Sequence, residues 1–292
     1  MPEVAYLGQI LVNGLSVGCI YGLIGIGFCV IYNASGIVNF AQGAFVMLGG
    51  MVTYVLLTSF ALPMVVAGAL AVVAVAALGV VIERLVVRPL WDRNATMFVM
   101  ILATLAAQIV IERATLILVG DQPKSIPVFT DLPPIRIAGI SIGYQIFWII
   151  GTSLALIGLL ALFFQKTLVG RAMRACAINR EAAALQGIPV SRMLALSFAL
   201  SAALGAIAGI LLTPTQFTAF NVGTPFAILG FIAAIVGGFG RPFGAFLGGI
   251  ALGLAQALAV FALGSGLKNV AALSVLLVFL FLRPSGILGA AK

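Results

Sequence analysis

Long, continuous runs of apolar residues follow one another along most of the chain, and short polar segments separate them. About 20 consecutive apolar residues are enough for one α-helix to cross the hydrocarbon core of a bilayer. The runs are rich in Gly, Ala and Leu and do not alternate with polar positions, which excludes membrane-crossing β-strands. The pattern predicts helical spans at residues 7–31, 40–57, 62–87, 97–119, 144–164 and 193–212, and a longer apolar stretch at residues 226–282.

Two polar breaks divide this last stretch into three segments. One break is the glycine-rich sequence of residues 237–244, and the other is the sequence Gly-Ser-Gly-Leu-Lys-Asn at residues 264–269. The number of spans is therefore eight or nine, depending on whether the short segment before Gly237 crosses the bilayer fully or re-enters it. The predicted fold class is an all-α polytopic integral membrane protein, in which residues 1–292 form a single transmembrane domain.

The amino-acid composition supports this class. Hydrophobic residues make up 63% of the chain and charged residues only 8%, whereas soluble domains average roughly 45–50% and 25%. Eight spans use about 160 residues, so no sizeable soluble domain fits in the remainder.

The basic residues predict the orientation in the membrane. The formal charge of +8 results from 15 Lys and Arg against 7 Asp and Glu, and the bias of basic residues toward cytoplasmic loops explains it better than a nucleic-acid partner does. With the N-terminus outside, the cytoplasmic side holds Arg84, Arg88, Arg93, Lys166, Arg171, Arg174, Arg180, Arg192, Arg241, Arg283 and Lys292. The other side holds Arg113, Lys124, Arg136 and Lys268. The loop of residues 120–143 is then extracytoplasmic, and its four prolines predict an extended connection.

Residues for most kinds of chemistry are missing from the sequence. The chain has no histidine, and its three cysteines are too dispersed for a disulfide framework. The usual general base and the usual transition-metal ligand are therefore absent, and we predict neither an enzyme nor a metal site. Small residues at four-residue spacing, such as Gly14, Gly18 and Gly22, predict close helix packing, and packing within this chain is favoured over packing against a partner.

The cytoplasmic segment of residues 166–190 is rich in Ala, Arg and Glu, which favour helix formation. We expect one or two short helices that end at Gly187 and Pro189. The sequence suggests that Cys176 and Leu185 are the apolar positions, while Arg174, Arg180 and Glu181 face outward. Such a segment docks a protein partner or lies as an amphipathic loop on lipid headgroups.

Within this segment, Glu181-Ala182-Ala183 followed by Gly187 resembles the EAA loop of ABC importer permeases, which docks into a groove of the ATPase. Three further stretches strengthen the resemblance: Asn39-Phe40-Ala41-Gln42-Gly43, the sequence of residues 230–245, and Arg283-Pro284-Ser285-Gly286-Ile287-Leu288-Gly289. From about Gly14 to Gly289 the chain is similar to the LivH-type permease subunits of branched-chain amino-acid ABC importers, in the hydrophobic amino acid uptake family.

This resemblance implies a subunit that translocates branched-chain or other hydrophobic amino acids across the bacterial inner membrane. The implied partners are a homologous second permease (LivM-like), two cytoplasmic ATPase subunits (LivG- and LivF-like) and a periplasmic substrate-binding protein. The sequence contains no phosphate-binding loop, so ATP and Mg²⁺ are expected on the ATPase subunits and no cofactor on this chain. The implied ATPase-coupling residues are Arg171, Arg174, Arg180, Glu181, Ala182, Ala183 and Gly187.

Other functions remain open at this point. Relatives of this architecture also carry urea, short amides or aromatic compounds, and Gly25 and Gly27 predict a wider, more flexible first helix than is typical of the family. A stand-alone secondary transporter or channel is a further alternative, for which Glu112 is the best coupling residue.

Several polar residues lie in or beside the predicted spans and are candidates for a translocation path: Tyr32, Asn39, Gln42, Gln108 and Glu112. For Asn39, capping or packing of the second span is slightly favoured over lining a path. Gln108 and Glu112 share one helical face with Thr104, and a structural or gate role for Glu112 is favoured over proton coupling. The candidate gate or hinge consists of Gly237, Gly238, Gly240 and Gly244, although a tight turn between helices is preferred for this segment.

Overall fold

The computed structural model describes residues 2–137, 139–283 and 286–288. Pro284, Ser285 and Gly289 of the C-terminal motif, together with Lys292, lie outside these residues. The helices are α1 (Pro2–Ser35), α2 (Gln42–Ser59), α3 (Met64–Ile82), α4 (Arg88–Asp92), α5 (Met97–Val119), α6 (Tyr144–Lys166), α7 (Leu168–Ile178), α8 (Arg180–Leu185), α9 (Val190–Gln216), α10 (Gly223–Gly237), α11 (Pro242–Leu263) and α12 (Lys268–Leu282). A π-helical turn, Glu83–Val87, joins α3 to α4, and a 3-10 turn, Ser265–Leu267, precedes α12.

The all-α polytopic membrane fold is confirmed. Among the described residues, eight helices are long and apolar enough to cross a membrane. In this count α3 and α4 form one continuous span, and the 3-10 turn is counted with α12, which gives a span of 18 residues. The ninth apolar helix, α10, has 15 residues and is therefore about 22 Å long. A bilayer core is about 30 Å thick, so α10 is too short to cross it fully.

The helix α2 begins deep inside the fold rather than at its edge. The side chain of Gln42, its first residue, lies beside Gly27, where a Cβ atom would be 2.9 Å from Gln42 Cδ. Gly27 is about two turns, or roughly 12 Å, before the end of α1 at Ser35. The segment of residues 36–41 therefore runs back along α1 before α2 starts.

The first turns of α2 and α10 meet each other. A Cβ atom on Gly223 would lie 2.6 Å from the carbonyl oxygen of Gly43, so only glycine permits this approach. Around this contact, α1 packs on α9, α10 and α11, while α9 packs on α1, α2 and α3. Each central helix thus packs against the two helices that follow the other, which is the reciprocal arrangement typical of an inverted repeat.

The small-residue faces are used within the chain, as the sequence predicted. A Cβ atom on Gly18 would lie 2.9 Å from the Gly249 carbonyl oxygen of α11. The prediction of a wider, more flexible first helix is wrong. A Cβ atom on Gly25 would lie 3.0 Å from the Gly230 carbonyl oxygen, and Gly27 is enclosed by side chains of α2 and α9. These glycines bring neighbouring helices close together instead of loosening α1.

The connection between α5 and α6 is held against the ends of other helices. It contains a short antiparallel hairpin of β1 (Ile135–Ile137) and β2 (Ile140–Ile142), with Arg136 opposite Ser141. The backbone N–H of Ser141 donates to Gln9 Oε1 of α1 at 2.8 Å. Lys124 exchanges two backbone hydrogen bonds with Thr218, at 2.7 and 2.8 Å. These bonds place the start of α1, this connection and the end of α9 on one side of the fold.

Candidate functional site

The segment between α6 and α9 forms two short capped helices. Thr167 Oγ1 accepts from the Gly170 N–H at the start of α7, at 2.9 Å. Asn179 Oδ1 accepts from the Ala182 N–H at the start of α8, at 3.0 Å. Gly187 ends α8 at φ = +79°, a conformation that glycine adopts readily.

The two helices do not share one continuous apolar face, contrary to the sequence interpretation. Cys176 and Ala183 are buried, whereas Leu185 and Ile178 are each 88% exposed. The extended backbone of Asn179, at φ = −154°, interrupts the helical periodicity between α7 and α8, so a pattern that assumes one helix misplaces Leu185. The segment consequently presents large apolar side chains to its surroundings.

The expected coupling residues occupy two different environments. Arg171, Arg174, Glu181, Ala182 and Gly187 are exposed, and Ala183 is buried. Arg180 was expected to face outward, but it is half-buried, with its guanidinium carbon 4.4 Å from the centre of the Trp91 ring. Its Nη2 atom also lies 2.7 Å from the position of a Cβ atom on Gly36. Burial lowers the pKa of the Arg180 guanidinium and raises the pKa of the neighbouring Cys176 thiol.

A partly buried ion pair lies next to this segment. Arg88 Nε and Nη2 donate to the two carboxylate oxygens of Glu83 at 2.9 and 3.0 Å, and Glu83 is fully buried. Arg88 Nη2 also donates to the Ser191 carbonyl oxygen at the start of α9, at 3.2 Å. The sequence interpretation missed this pair because residues five apart do not face each other on a regular α-helix, whereas the wider π turn brings them together.

Two of the candidate path residues stabilise the packing around α2. Gln42 is fully buried, with its Oε1 atom accepting from Ser201 Oγ at 2.5 Å and its Nε2 atom donating to the Ser201 carbonyl at 3.2 Å. Asn39 does not occupy the N-cap position of α2, which is Ala41. Its Oδ1 atom accepts from the Ala41 N–H at 3.1 Å, and its buried Nδ2 atom has no partner among the described residues.

The remaining path candidates lie in two separate places. Gln108 Nε2 donates to Glu112 Oε1 at 3.1 Å and to Thr224 Oγ1 at 2.7 Å, and Thr224 Oγ1 donates to Glu112 Oε1 at 2.8 Å. These three side chains form a polar cluster between α5 and the first turn of α10. Tyr32 instead lies near the end of α1, with its ring 4.6 Å from that of Phe239.

The sequence interpretation did not find Thr224, although a Thr-Pro pair at the start of a short apolar run is a signal that could have indicated it. It correctly placed Gln108 and Glu112 on one face of α5. Glu112 is not paired with the adjacent Arg113, whose guanidinium carbon lies 6.0 Å from the centre of the Phe220 ring. Neighbouring side chains point about 100° apart on a helix, so these two face different surroundings.

The candidate gate is a tight turn between α10 and α11. Gly238 and Gly240 have φ values of +106° and +87°. The Asn33 Nδ2 atom donates to the Gly240 carbonyl at 2.7 Å, and the Ile287 N–H donates to the Val236 carbonyl at 2.8 Å. The backbones of Gly237 and Gly244 touch. The end of α1 and the C-terminal segment thus hold this turn from two directions.

The sequence matches one protein family over nearly all of its length. Residues 10–282 match the family described as branched-chain amino acid transport system, permease component. The chain is 36% identical to the high-affinity branched-chain amino acid transport system permease protein BraD of Pseudomonas aeruginosa, covering 99% of this chain and 98% of BraD. It is 32% identical to the corresponding protein LivH of Escherichia coli, covering 97% and 96% of the two chains.

Similarity extends to an archaeal protein and to a solved structure. The chain is 30% identical to a probable branched-chain amino acid transport permease protein LivH of Methanocaldococcus jannaschii, over 91% of this chain and 88% of that one. The fold is similar to a chain in the structure of PsaBC from Streptococcus pneumoniae in complex with Fab, with a TM-score of 0.52 at 13% identity and coverage of 95% and 92%. From the family match and the full-length relatives together, this multi-pass membrane protein belongs to the branched-chain amino acid transport system permease family.

Proposed function

We propose that the chain is the membrane-spanning permease subunit of an ATP-driven importer of branched-chain amino acids in the bacterial cytoplasmic membrane. The observation that carries this proposal is the full-length similarity to permease proteins whose names specify branched-chain amino acid transport, at 32–36% identity. The eight long apolar helices agree with a subunit that conducts its substrate across the membrane.

The energy for transport comes from other chains in this proposal. The sequence contains no phosphate-binding loop, so two cytoplasmic ATPase subunits, resembling LivG and LivF, bind ATP and Mg²⁺. The segment of α7 and α8 is the surface on which one of them docks. Its exposed Ile178 and Leu185 side chains, with the exposed acidic Glu181 between them in sequence, have the mixed apolar and charged character of a docking surface.

The substrate path runs between this chain and a homologous second permease, resembling LivM. Thr224 is exposed and Glu112 half-exposed on the face shared by α5 and α10. Polar side chains within a span face protein or a water-filled cavity, because contact with lipid is costly. A second permease placed against this face encloses the path, and a periplasmic binding protein delivers the substrate to it.

The contacts around α8 suggest how ATPase movement reaches the membrane. Arg180 connects α8 to Trp91 and to the segment that leads into α2, while Arg88 connects α4 to the start of α9 through Ser191. The helices α2 and α9 pack directly on each other. A shift of α8 therefore moves elements on both sides of the contact between α2 and α9, which opens the path alternately to the two sides.

The proposed function is tested by reconstituting the chain in liposomes with its genomic neighbours: the second permease, both ATPases and the binding protein. We expect uptake of radiolabelled leucine that requires both ATP and the loaded binding protein. Leucine uptake by the purified single chain, driven by an ion gradient alone, would establish a secondary transporter instead. ATP-driven uptake of urea or aromatic acids, without uptake of leucine, isoleucine or valine, would refute the amino-acid substrate.

A further inference from the structure

We propose that the first turn of α10, together with Gln108 and Glu112 of α5, is the place where the translocated amino acid contacts this chain inside the membrane. The α-ammonium group binds to the oxygens of Glu112 and Gln108, and the α-carboxylate binds to the N–H groups that begin α10. This inference rests on the proposed function and adds the residues that recognise the substrate and the chemistry of that recognition.

The position of the polar cluster within the membrane is the first argument. Gln108 is the central residue of α5, which runs from Met97 to Val119, so it lies about 16 Å from either end of the helix. Its hydrogen bond to Thr224 brings the start of α10 to the same depth. The α10 helix begins near the middle of the bilayer, where Gly223 is buried against Gly43 of α2. Thr224 and Pro225 are exposed, so the other side of this first turn is not covered by the described part of the chain.

The second argument concerns what can surround a polar cluster in the middle of the membrane. A carboxylate, a hydroxyl and a helix start that face lipid at mid-membrane depth cost several kcal/mol. Non-helical backbone within the membrane, such as residues 219–222, which lead from Thr218 to the start of α10, is tolerated where it lines a water-filled cavity or is buried in protein. The exposed side of the cluster therefore borders the path, so a solute in the path reaches Thr224 and Glu112 directly.

Hydrogen-bond donors of the cluster match a carboxylate. In the described part of the chain, no acceptor is bonded to the N–H groups of Gly223 and Thr224, and Pro225 has no N–H. The first turn of α10 therefore has two N–H groups without an acceptor, at the end of the helix where the backbone dipoles favour negative charge. Gly223 is buried and Thr224 is exposed, so Thr224 supplies the N–H group on the open side. Interrupted membrane helices bind substrate carboxylates with their N-terminal ends in this way.

Acceptors on the opposite side of the cluster match an ammonium group. Glu112 supplies the charge, and its Oε2 atom makes no hydrogen bond within the described residues. Only 3% of the Gln108 surface is exposed. Its Nε2 atom donates to Thr224 Oγ1, but its Oε1 atom accepts no hydrogen bond from any described residue. A buried acceptor without a donor is costly, and an ammonium group at the start of α10 satisfies it.

One charged side chain and a few dipoles form a weak binding site. Weak binding suits a path, since a substrate that is held tightly leaves slowly. Selection of the side chain is left to the binding protein, because the atoms that line this contact recognise only the groups common to all α-amino acids. Glu112 acts here as a fixed anion that contacts the ammonium group and carries no proton across the membrane.

The test uses the full complex in proteoliposomes with saturating, leucine-loaded binding protein. Thr224→Val removes the hydroxyl that is hydrogen-bonded to Gln108 and Glu112 and so holds their oxygens in place, and Glu112→Gln removes the negative charge. Each variant is expected to lower leucine uptake per ATP hydrolysed about fivefold, the factor that corresponds to one hydrogen bond, while ATPase activity stimulated by the binding protein stays near the wild-type rate. The matched control is Thr115→Val on the same helix. Within the residues that the structure describes, the Thr115 hydroxyl bonds only to the Ile111 carbonyl of its own helix, at 2.8 Å. Uptake and ATPase activity are therefore both expected to stay unchanged.

A second measurement keeps the inference testable if a variant assembles poorly. Thr224→Cys in the assembled complex is expected to react with a membrane-impermeant thiol reagent during turnover, and millimolar leucine is expected to slow the reaction. Uptake and ATPase activity that fall in parallel, unchanged uptake in Thr224→Val and Glu112→Gln, or an unreactive Thr224→Cys would each overturn the inference. A wild-type complex that fails to transport any branched-chain amino acid overturns the proposed function itself, and the substrate contact falls with it.

Discussion

The guanidinium group of Arg180 lies over the indole ring of Trp91, 4.4 Å from the ring centre. Arg180 is the first residue of α8, and Trp91 belongs to the last turn of the span that contains α3 and α4. A cation–π contact of this kind contributes about 0.5–2 kcal/mol, depending on desolvation. The proposed docking helix is therefore attached to a membrane span by one specific stacking contact.

Trp91→Ala is expected to uncouple ATP hydrolysis from transport. Without the ring, a displacement of α8 is no longer passed to α4, so leucine uptake falls several-fold while the assembled complex continues to hydrolyse ATP. Uptake and ATPase rates measured on the same proteoliposomes give the coupling ratio. Trp91→Phe, which keeps an aromatic face beneath Arg180, is the control and should retain most of the coupling; equal coupling ratios in Trp91→Ala and wild type would contradict this role.

Gly187→Leu is expected to weaken the ATPase dock through backbone strain. Nothing lies within 4 Å of the position of its Cβ atom, so steric clash is not the cause. The φ value of +79° disfavours a leucine by roughly 1–2 kcal/mol. We expect a protein that inserts normally but co-purifies with less ATPase.

Gly187→Asn is the matched control, because asparagine adopts this backbone conformation more readily than other side chains. Recovery of ATPase on affinity-purified permease compares the two variants. If Gly187→Asn and Gly187→Leu lose the same amount of ATPase, the loss does not come from the backbone conformation, and a different role for Gly187 must be sought.

Arg88→Ala is expected to destabilise the protein strongly. It leaves the fully buried Glu83 carboxylate without its cation. Breaking a fully buried pair costs about 3–5 kcal/mol, and we expect less here because 34% of the Arg88 side chain is exposed. The double variant Glu83→Gln with Arg88→Met removes both charges and is expected to recover part of the loss. Thermal stability in detergent, measured by fluorescence-detected gel filtration, separates the two; a single variant as stable as wild type would show that the pair contributes little.

Glu112→Gln is expected to retain measurable uptake with an unchanged dependence on pH. A contact with an ammonium group is weakened by this change, since glutamine keeps one acceptor oxygen, whereas a proton carrier is abolished by it. Glu112→Lys places a second cation beside Arg113 and should impair assembly. The measurement is the initial rate of uptake at about four pH values between pH 6 and pH 8. Complete loss at every pH in an assembled Glu112→Gln complex would indicate proton coupling.

The helical spans could be predicted from the sequence because lipid imposes a length and an apolar composition on each of them. The predicted span at residues 97–119 coincides with α5. The choice between eight and nine spans depended on α10, which is too short to cross the bilayer core. The small-residue faces also indicated packing within the chain correctly. Each of these features depends on residues that are near one another in sequence.

The arrangement of the candidate site could not be predicted in the same way. The start of α2 looks like the start of an ordinary span, and only its contact with Ser201, 159 residues away, shows that it lies deep in the fold. Thr224 joins Gln108 across 116 residues. Hydropathy patterns contain no information about such distant contacts. The sequence therefore identified Gln108 and Glu112 as polar residues on one helical face but not Thr224, the third residue of the polar cluster.

The burial of α1 has a consequence for how the protein is made. Of the most apolar part of α1, 89% is buried inside the fold, and it packs on α9, α10 and α11. These helices begin at Val190, Gly223 and Pro242, so at ribosomal speed α1 waits on the order of ten to forty seconds for α11. During synthesis its glycine-rich face is covered by lipid or by the insertion machinery, and biogenesis of this protein depends on holding its first helix in the bilayer until α11 has been made.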